Sequence, residues 1–192
     1  MDDAVGDALR TTPRARFLPR RQRLSSTLDQ ALEIGYGQTC SQPSTVERML
    51  RLLDVRPAQS VLDVGSGSGW TTALLAELVG PEGRVAGVEI VPELVERGRK
   101  NLATVDRPWA VIEEAEPGVL GRPQDGPFDR ILVSAMSGSL PDELVDQLAP
   151  KGVLVVPVAG VMVRVVLDED GQPEISRHGF YRFVPLIRDL GD

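Results

Sequence analysis

The sequence predicts an α/β fold in which a mostly parallel sheet carries helices on both faces and ends in an antiparallel edge. Three observations predict it. Short apolar runs alternate with segments of helical periodicity between residues 60 and 148. Each apolar run is nearly continuous, as in strands that are buried on both faces. In the last third of the chain the apolar runs are separated only by turn sequences, which is typical of antiparallel pairs.

The first 43 residues are irregular, with one short helix expected and a Gly-Tyr-Gly loop at 35–37. A helix of about ten residues should follow Pro43, because Ser44 is a good N-cap and Glu47 stands three residues later as its capping-box partner. The apolar stripe of this helix is formed by Val46, Met49, Leu50 and Leu53.

The alternating part of the chain contains four expected strands and three expected helices. The strands are 60–64, 84–90, 109–113 and 128–134, and the helices are 71–79, 92–102 and 142–148. Three further strands, at 153–158, 161–167 and 180–184, should form the antiparallel edge.

The composition fits a single domain, 1–192, with an N-terminal segment at 1–43 and a core at 44–192. Of the 192 residues, 42% are apolar and 26% are charged, as in soluble globular proteins. The longest apolar stretch, 153–163, is too short to span a bilayer. The acidic N-terminus lacks the basic start of a signal peptide, so we expect a cytoplasmic protein without membrane contact.

Charge and rare residues exclude several chemistries. A net charge of −7 gives no general attraction to phosphate backbones, so no nucleic-acid partner is expected. Six arginines and three aspartates give the first 23 residues a net charge of +3, where we expect a solvated or ion-paired face rather than a polyanion site. Cys40 and His178 are the only residues of their types, which argues against disulfide, metal-cluster and serine–histidine chemistry. His178 should lie in a surface turn.

The strongest motif, Asp63-Val64-Gly65-Ser66-Gly67-Ser68-Gly69-Trp70, lies between an expected strand and its helix. Open α/β sheets bind ligands at the carboxyl ends of their strands, and alternating glycines let the backbone approach a ligand closely. Asp63 can accept hydrogen bonds from a positively charged amino group. A dinucleotide site would need glycine at Trp70. The loop instead resembles the D-x-G-x-G-x-G loop of class I S-adenosylmethionine-dependent methyltransferases; a glycine turn without a ligand is the alternative.

Glu89 ends the next expected strand, where its carboxylate can accept hydrogen bonds from both hydroxyls of a ribose. Such a residue fits an adenosine. By itself it does not separate S-adenosylmethionine from a dinucleotide, and a solvated strand-end glutamate is the alternative.

A second segment, Gly35-Tyr36-Gly37-Gln38-Thr39-Cys40-Ser41-Gln42-Pro43, resembles the G-x-G-Q-T-I-S-x-P segment of protein-L-isoaspartate O-methyltransferases. The resemblance continues in family order through 61–72, 87–95, 127–131, 146–152 and 183–186. It implies a Rossmann-like class I methyltransferase fold, S-adenosyl-L-methionine as cofactor and S-adenosyl-L-homocysteine as product. The implied reaction is methylation of the free carboxylate of L-isoaspartyl residues in damaged proteins. The resulting methyl ester then cyclises to a succinimide, which allows a partial return to normal aspartate.

The resemblance implies that Ser41 holds the substrate carboxylate together with Thr39. That carboxylate, with a reference pKa near ~3.9, is already an anion at neutral pH, so a chain with one histidine needs no general base. The residue patterns and the resemblance together predict a set of cofactor-binding residues and no metal ligands. The set is Gln38, Thr39, Cys40, Ser41, Asp63, Gly65, Ser66, Gly67, Ser68, Gly69, Glu89, Ile90, Glu116 and Gly118.

Two positions depart from the family pattern. Cys40 stands where isoleucine is usual, and we expect it to be a small apolar filler rather than a reactive thiol. The family's G-D-G, whose aspartate binds the adenine amino group, aligns with Glu116-Pro117-Gly118, so Glu116 or Glu114 either substitutes for that aspartate or is a surface acid.

We expect a monomer that acts on isoaspartyl-containing proteins and peptides. The alternatives are a methyltransferase of the same fold that acts on another carboxylate, such as an aspartate of a dedicated peptide, and a non-catalytic adenosylmethionine-binding module.

Overall fold

A computed structural model describes residues 3–189; the ends of the expected domain, 1–2 and 190–192, lie outside it. The helices are α1 (Ala4–Thr11), α2 (Pro43–Leu53), α3 (Trp70–Val79), α4 (Pro92–Leu102) and α5 (Asp142–Val145). The strands are β1 (Leu32–Gly35), β2 (Gln38–Cys40), β3 (Ser60–Val64), β4 (Arg84–Glu89), β5 (Ala110–Glu114), β6 (Phe128–Val133), β7 (Leu148–Val158), β8 (Val161–Leu167) and β9 (Pro173–Phe180). Within the described chain, no helix has the length and apolar character needed to cross a membrane.

Seven strands form one sheet in the order β5-β4-β3-β6-β7-β8-β9. The strands from β5 to β7 pair in parallel, and β8 and β9 add an antiparallel edge. The predicted fold class is confirmed. The chain runs from β3 outward to β5 and then returns to the other side of β3 with β6, so the strand order reverses between β3 and β6. This reversal opens the crevice in which open α/β sheets bind ligands.

The sheet separates two apolar clusters because successive strand residues point to opposite faces. In β3, Val61 packs into one cluster and Leu62 into the other. The first cluster also contains Ala8, Phe17 and Leu18 of the N-terminal segment, so this segment covers the same face as α3.

The N-terminus of α2 differs from the prediction. The helix begins at Pro43 with Gln42 as N-cap, so the Ser44 capping box is wrong. The Ser44 N–H donates to Asp29 Oδ1 at 2.9 Å, and Glu47 pairs with Arg51 instead. A side chain distant in the sequence therefore satisfies the first turn. The predicted stripe from Val46 to Leu53 is buried.

Four expectations for the last third are wrong. Helix α5 is a single turn, and β7 begins already at Leu148, with Lys151 in the left-handed region at φ 63°. The last strand is β9 and not 180–184. β9 is an exposed edge with few apolar residues, so it carries no apolar run that sequence reasoning could detect. His178 lies in this strand rather than in a turn, and its Nε2 is 2.8 Å from Ser176 Oγ.

The arginine-rich N-terminal segment is only partly a solvated, ion-paired face. Arg10 pairs with Asp7, and Arg21 lies 3.9 Å from Glu33. Arg14 is 5% exposed and points inward, which corrects the expectation for this residue.

Candidate active site

Residues 65–69, the glycine loop, join β3 to α3 at the point where the strand order reverses. Gly65, Gly67 and Gly69 have φ values of 76°, 53° and 90°. At Gly69 a Cβ atom would lie 2.9 Å from Ile112 Cδ1 and 3.2 Å from the Gly98 carbonyl oxygen. Only glycine combines this backbone with such close packing. The loop therefore presents bare backbone to the crevice.

Asp63 lies beneath this loop and is completely buried. Its Oδ2 accepts hydrogen bonds from the hydroxyls of Thr71 and Thr72, both at 2.7 Å, whereas its Oδ1 has no partner. Burial raises the pKa of Asp63 to about 6, and the neighbouring Glu89 carboxylate adds to the shift. A buried carboxylate oxygen without a donor is costly, and a positively charged donor would relieve that cost.

Two more buried oxygens have no partner: Ser66 Oγ, which lies in the loop, and Ser134 Oγ, which lines the same cavity as the loop. Among residues 3–189, these two hydroxyls and Asp63 Oδ1 are the only buried side-chain polar atoms without a hydrogen-bond partner. Native proteins pair nearly all such atoms. Their clustering at one loop fits a polar ligand that binds there.

Glu89, 6% exposed, is held by the backbone at the end of β4. Its Oε2 accepts the Gly67 N–H at 2.8 Å, and its Oε1 accepts the N–H groups of Ile90 and Val91 at 2.9 and 3.0 Å. Burial raises the pKa of this carboxyl, and the three N–H donors oppose the rise. These donors use three of about four acceptor positions, which leaves room for about one hydroxyl donor.

The main cavity opens at the carboxyl ends of β3, β4 and β6. It is lined by Ile34, Gln38, Thr39, Val64, Gly65, Gly67, Val88, Glu89, Ile90, Ala115, Val119, Leu120, Gly121, Ser134, Ala135 and residues 184–188. Its walls are mostly apolar, with a few convergent polar groups, as in small-molecule sites.

Two further depressions adjoin the main cavity. The loop cavity is lined by Thr39, Cys40, Ser41, Gly65, Ser66, Gly67, Ser68, Trp70, Thr71 and Ser134. The side groove is lined by Ala31, Thr39, Ser41, Gln42, Ser44, Thr45, Arg48 and residues 180–183. Thr39 lines all three, and Ser41 lines the loop cavity and the side groove. Thr39 thus stands at the junction between the main cavity and a surface groove.

The structure brings most of the predicted site residues to these cavities. Two of them do not line a cavity: Asp63 is buried beneath the glycine loop, and Gly69 is the N-cap of α3. Glu116 and Gly118 are exposed and lie outside the main cavity, and Glu114 is exposed as well. Sequence reasoning missed Ser134, although its place directly after β6 at the reversal point could have indicated it. It also missed residues 184–188, which overlap the quoted family segment 183–186.

Arg14 ties the segment that carries Thr39 and Ser41 to α3. Its guanidinium donates to the carbonyl oxygens of Cys40 at 2.7 Å, Gln30 at 2.9 Å and Leu28 at 3.3 Å, and it lies 5.5 Å from the centre of the Trp70 ring. Its Nε is 3.4 Å from Cys40 Sγ. Burial raises the pKa of the Cys40 thiol, which argues against a reactive thiolate.

Comparison with known proteins identifies the family. The family model described as protein-L-isoaspartate(D-aspartate) O-methyltransferase matches residues 1–191. The chain is 42% identical over 191 residues to a protein-L-isoaspartate O-methyltransferase of Methanopyrus kandleri, a match that covers 97% of this chain and 84% of that protein. It is also 42% identical to the enzyme of that name from Aeropyrum pernix, with 97% and 74% covered.

The fold agrees with this family. A Plasmodium falciparum structure assigned as a protein-L-isoaspartate O-methyltransferase, solved in complex with S-adenosyl-L-homocysteine, superposes with a TM-score of 0.87 at 26% identity. The match covers 98% of this chain and 92% of that one. The sequence match along residues 1–191 and the shared fold show that the chain belongs to the protein-L-isoaspartate(D-aspartate) O-methyltransferase family.

Proposed function

We propose that the chain transfers a methyl group from S-adenosyl-L-methionine to the free carboxylate of L-isoaspartyl residues in proteins and peptides. The family assignment supports the reaction. The observation that carries it in the structure is the position of Thr39, which lines both the main cavity and the side groove. A group held in the groove and a group held in the cavity can meet there.

The main cavity and the loop cavity suit the cofactor. Asp63 Oδ1 and the two unpartnered serine hydroxyls supply acceptors and donors for an amino-acid moiety, and the bare backbone of Gly65 and Gly67 admits it closely. Glu89 would accept a ribose hydroxyl, and Ile90 would contact the base side. The wall around the cofactor is completed by Gln38, Cys40 and Ser68, and Gly69 completes the turn into α3. Glu116 and Gly118, which are exposed outside the cavity, have no place in this proposal.

Bound S-adenosyl-L-methionine supplies a methyl group on a positively charged sulfur. The protein's task is to position the acceptor, because the acceptor carboxylate is already ionised at neutral pH and no proton has to be removed. The hydroxyls of Thr39 and Ser41 can donate hydrogen bonds to one carboxylate oxygen and leave the other free to attack. Ala135 and Leu186 add apolar wall to the main cavity, in which the cofactor would lie.

The test uses labelled S-adenosyl-L-methionine and matched peptides that contain either aspartate or isoaspartate at one position. We expect methyl incorporation into the isoaspartyl peptide only. Equal labelling of both peptides, or labelling of the aspartyl peptide alone, would favour another carboxylate substrate. Binding of S-adenosyl-L-homocysteine without any labelling would favour the non-catalytic module.

We also propose one domain, 1–192, that works as a monomer in the cytoplasm without nucleic-acid or membrane partners. Support for one domain comes from the shared apolar cluster of Phe17, Leu18 and the α3 residues. Support against nucleic acid comes from the net charge of −7. Size-exclusion chromatography with light scattering tests the monomer.

A further inference from the structure

The side groove is positively charged in a negatively charged protein. Arg48 and Arg182 line it and no carboxylate does, although the chain as a whole has a net charge of −7. Neither arginine forms an ion pair within the described part of the chain. Both side chains are exposed at the mouth of the groove. Their charge is therefore available to a ligand.

Two acids lie near the groove without lining it. Asp29 accepts the Ser44 N–H and the Gln42 side-chain amide, both at 2.9 Å, and these bonds hold its pKa below the usual range, so it stays ionised. Glu47, beside Arg48 in the sequence, pairs with Arg51 on the next turn of α2. The two arginines of the groove therefore outnumber the one acid beside it that has no ion-pair partner.

Arg48 is also partly oriented. Its Nη1 donates to the Tyr181 hydroxyl at 2.9 Å, which links α2 to the segment that follows β9. A guanidinium has five N–H donors, so this single bond leaves most of them free. A planar fork of this kind matches the geometry of a carboxylate.

We propose that Arg48 and Arg182 select isoaspartyl segments that carry an acidic residue next to the isoaspartate. This inference rests on the proposed function, since it names the substrate class of that same site. Under that function Thr39 and Ser41, at the junction with the main cavity, hold the acceptor carboxylate, whereas Arg48 and Arg182 line the side groove but neither of the other two cavities. A guanidinium on the acceptor itself would stabilise the anion and weaken its attack, whereas a guanidinium on a flanking residue only anchors the peptide.

The experiment compares three synthetic isoaspartyl peptides that differ only in the residue next to the isoaspartate: Glu, Gln or Lys. The measured quantity is kcat/KM for methyl incorporation, and the flanking residue is placed once before and once after the isoaspartate. We expect the Glu peptide to exceed the Lys peptide by about tenfold or more, with up to about fivefold from each exposed guanidinium. The ratio should fall at 0.5 M salt because screening weakens exposed charges.

Variants locate the effect. Arg48→Gln and Arg182→Gln should each reduce the Glu-to-Lys ratio several-fold, and Lys100→Gln, an exposed residue of α4, should keep it because it removes the same charge far from the groove. Equal rates for the three peptides, a preference for Lys, or ratios that neither arginine variant changes would overturn this inference and leave the proposed function intact. Absence of labelling in every isoaspartyl peptide would overturn both.

Discussion

Asp63 allows a quantitative test, because its carboxyl is buried with one oxygen unpaired. Its pKa in the folded protein is about 6, against a reference value of 3.8. For an acid whose pKa is raised by folding, protonation favours the folded state. The stabilisation is complete below about pH 3.8, is lost as the pH rises to about 6, and stays lost above it. Asp63→Asn cannot ionise and escapes this loss.

The size of the effect follows from the two pKa values. A difference of about two units corresponds to about 3 kcal/mol between full protonation and full ionisation. Between pH 5 and pH 8 the free energy of unfolding of the native protein should therefore fall by about 1.4 kcal/mol relative to the Asp63→Asn variant. For a chain of this length that is a change of about 3 to 6 °C in the difference between their Tm values.

The assay is thermal unfolding of both proteins at several pH values without ligand. In the variant the Asn amide nitrogen would take the place of Oδ1, which has no hydrogen-bond partner, so burying this amide costs some stability. That cost does not depend on pH. The pH dependence of the Tm difference between the two proteins therefore reports the ionisation of Asp63. Carboxyls other than Glu89, whose charge acts on Asp63, titrate alike in both proteins and cancel. A difference in Tm that stays constant from pH 5 to pH 8 would refute the assigned burial and pKa. S-adenosyl-L-homocysteine should raise the Tm of the native protein more than the Tm of the variant, because the variant loses the charge that would pair with the ligand's amino group.

Four further outcomes are expected. S-adenosyl-L-homocysteine at about 100 times its Kd should stabilise the protein by about 2.7 kcal/mol. NAD should not shift the Tm, because Trp70 stands where a dinucleotide site has glycine, and a shift with NAD alone would contradict this. Ser41→Ala should lower the rate of methyl transfer by roughly tenfold to a thousandfold with little change in cofactor affinity. Ser139→Ala, at an exposed site outside the cavities, should change neither quantity. Normal turnover in Ser41→Ala would remove this residue from the site. Glu116→Ala and Glu114→Ala should leave calorimetric affinity for S-adenosyl-L-homocysteine unchanged, and a tenfold loss in either would show that the side chain reaches the adenine. Arg14→Lys should cost about 1 to 3 kcal/mol of stability, because a lysine cannot reproduce the fork that binds three carbonyl oxygens, and an unchanged Tm would show that these bonds contribute little.

The features that the sequence predicted correctly depend on local patterns. Strand 60–64 and helix 92–102 have the expected bounds, since each combines a clear apolar period with glycine or proline at its end. The glycine loop was recognisable because it has to follow a buried strand directly. The Ser44 capping box is wrong because a distant residue replaces it. The Ser44 N–H donates to Asp29, fifteen residues earlier in the chain, and not to the local partner that a capping box requires. Strand β9 could not be predicted from the sequence because an exposed edge strand carries no apolar run.

Arg14 shows the limit of pattern reasoning most clearly. In the sequence it is one of six arginines in a basic segment, and charge counting treats all six alike. In the structure its three carbonyl acceptors come from residues 14 to 26 positions away, so no spacing rule could select it. The lack of hydrogen-bond partners at Ser66 and Ser134 is likewise a property of the folded crevice, although the sequence already places Ser66 in the glycine loop.

Those unpartnered oxygens explain why the site is costly to build and yet retained by the fold. The carboxyl of Asp63 lowers the stability of the fold at neutral pH, because it is buried and has to ionise there. The surrounding structure nevertheless holds the carboxylate in place: two threonine hydroxyls donate to Oδ2, and both threonines stand on the buried helix α3. Such rigidity keeps Oδ1 free for a donor that the chain itself does not provide. The energy lost in folding is then recovered when a cationic ligand binds, which is the condition under which a preorganised site gains affinity and selectivity at once.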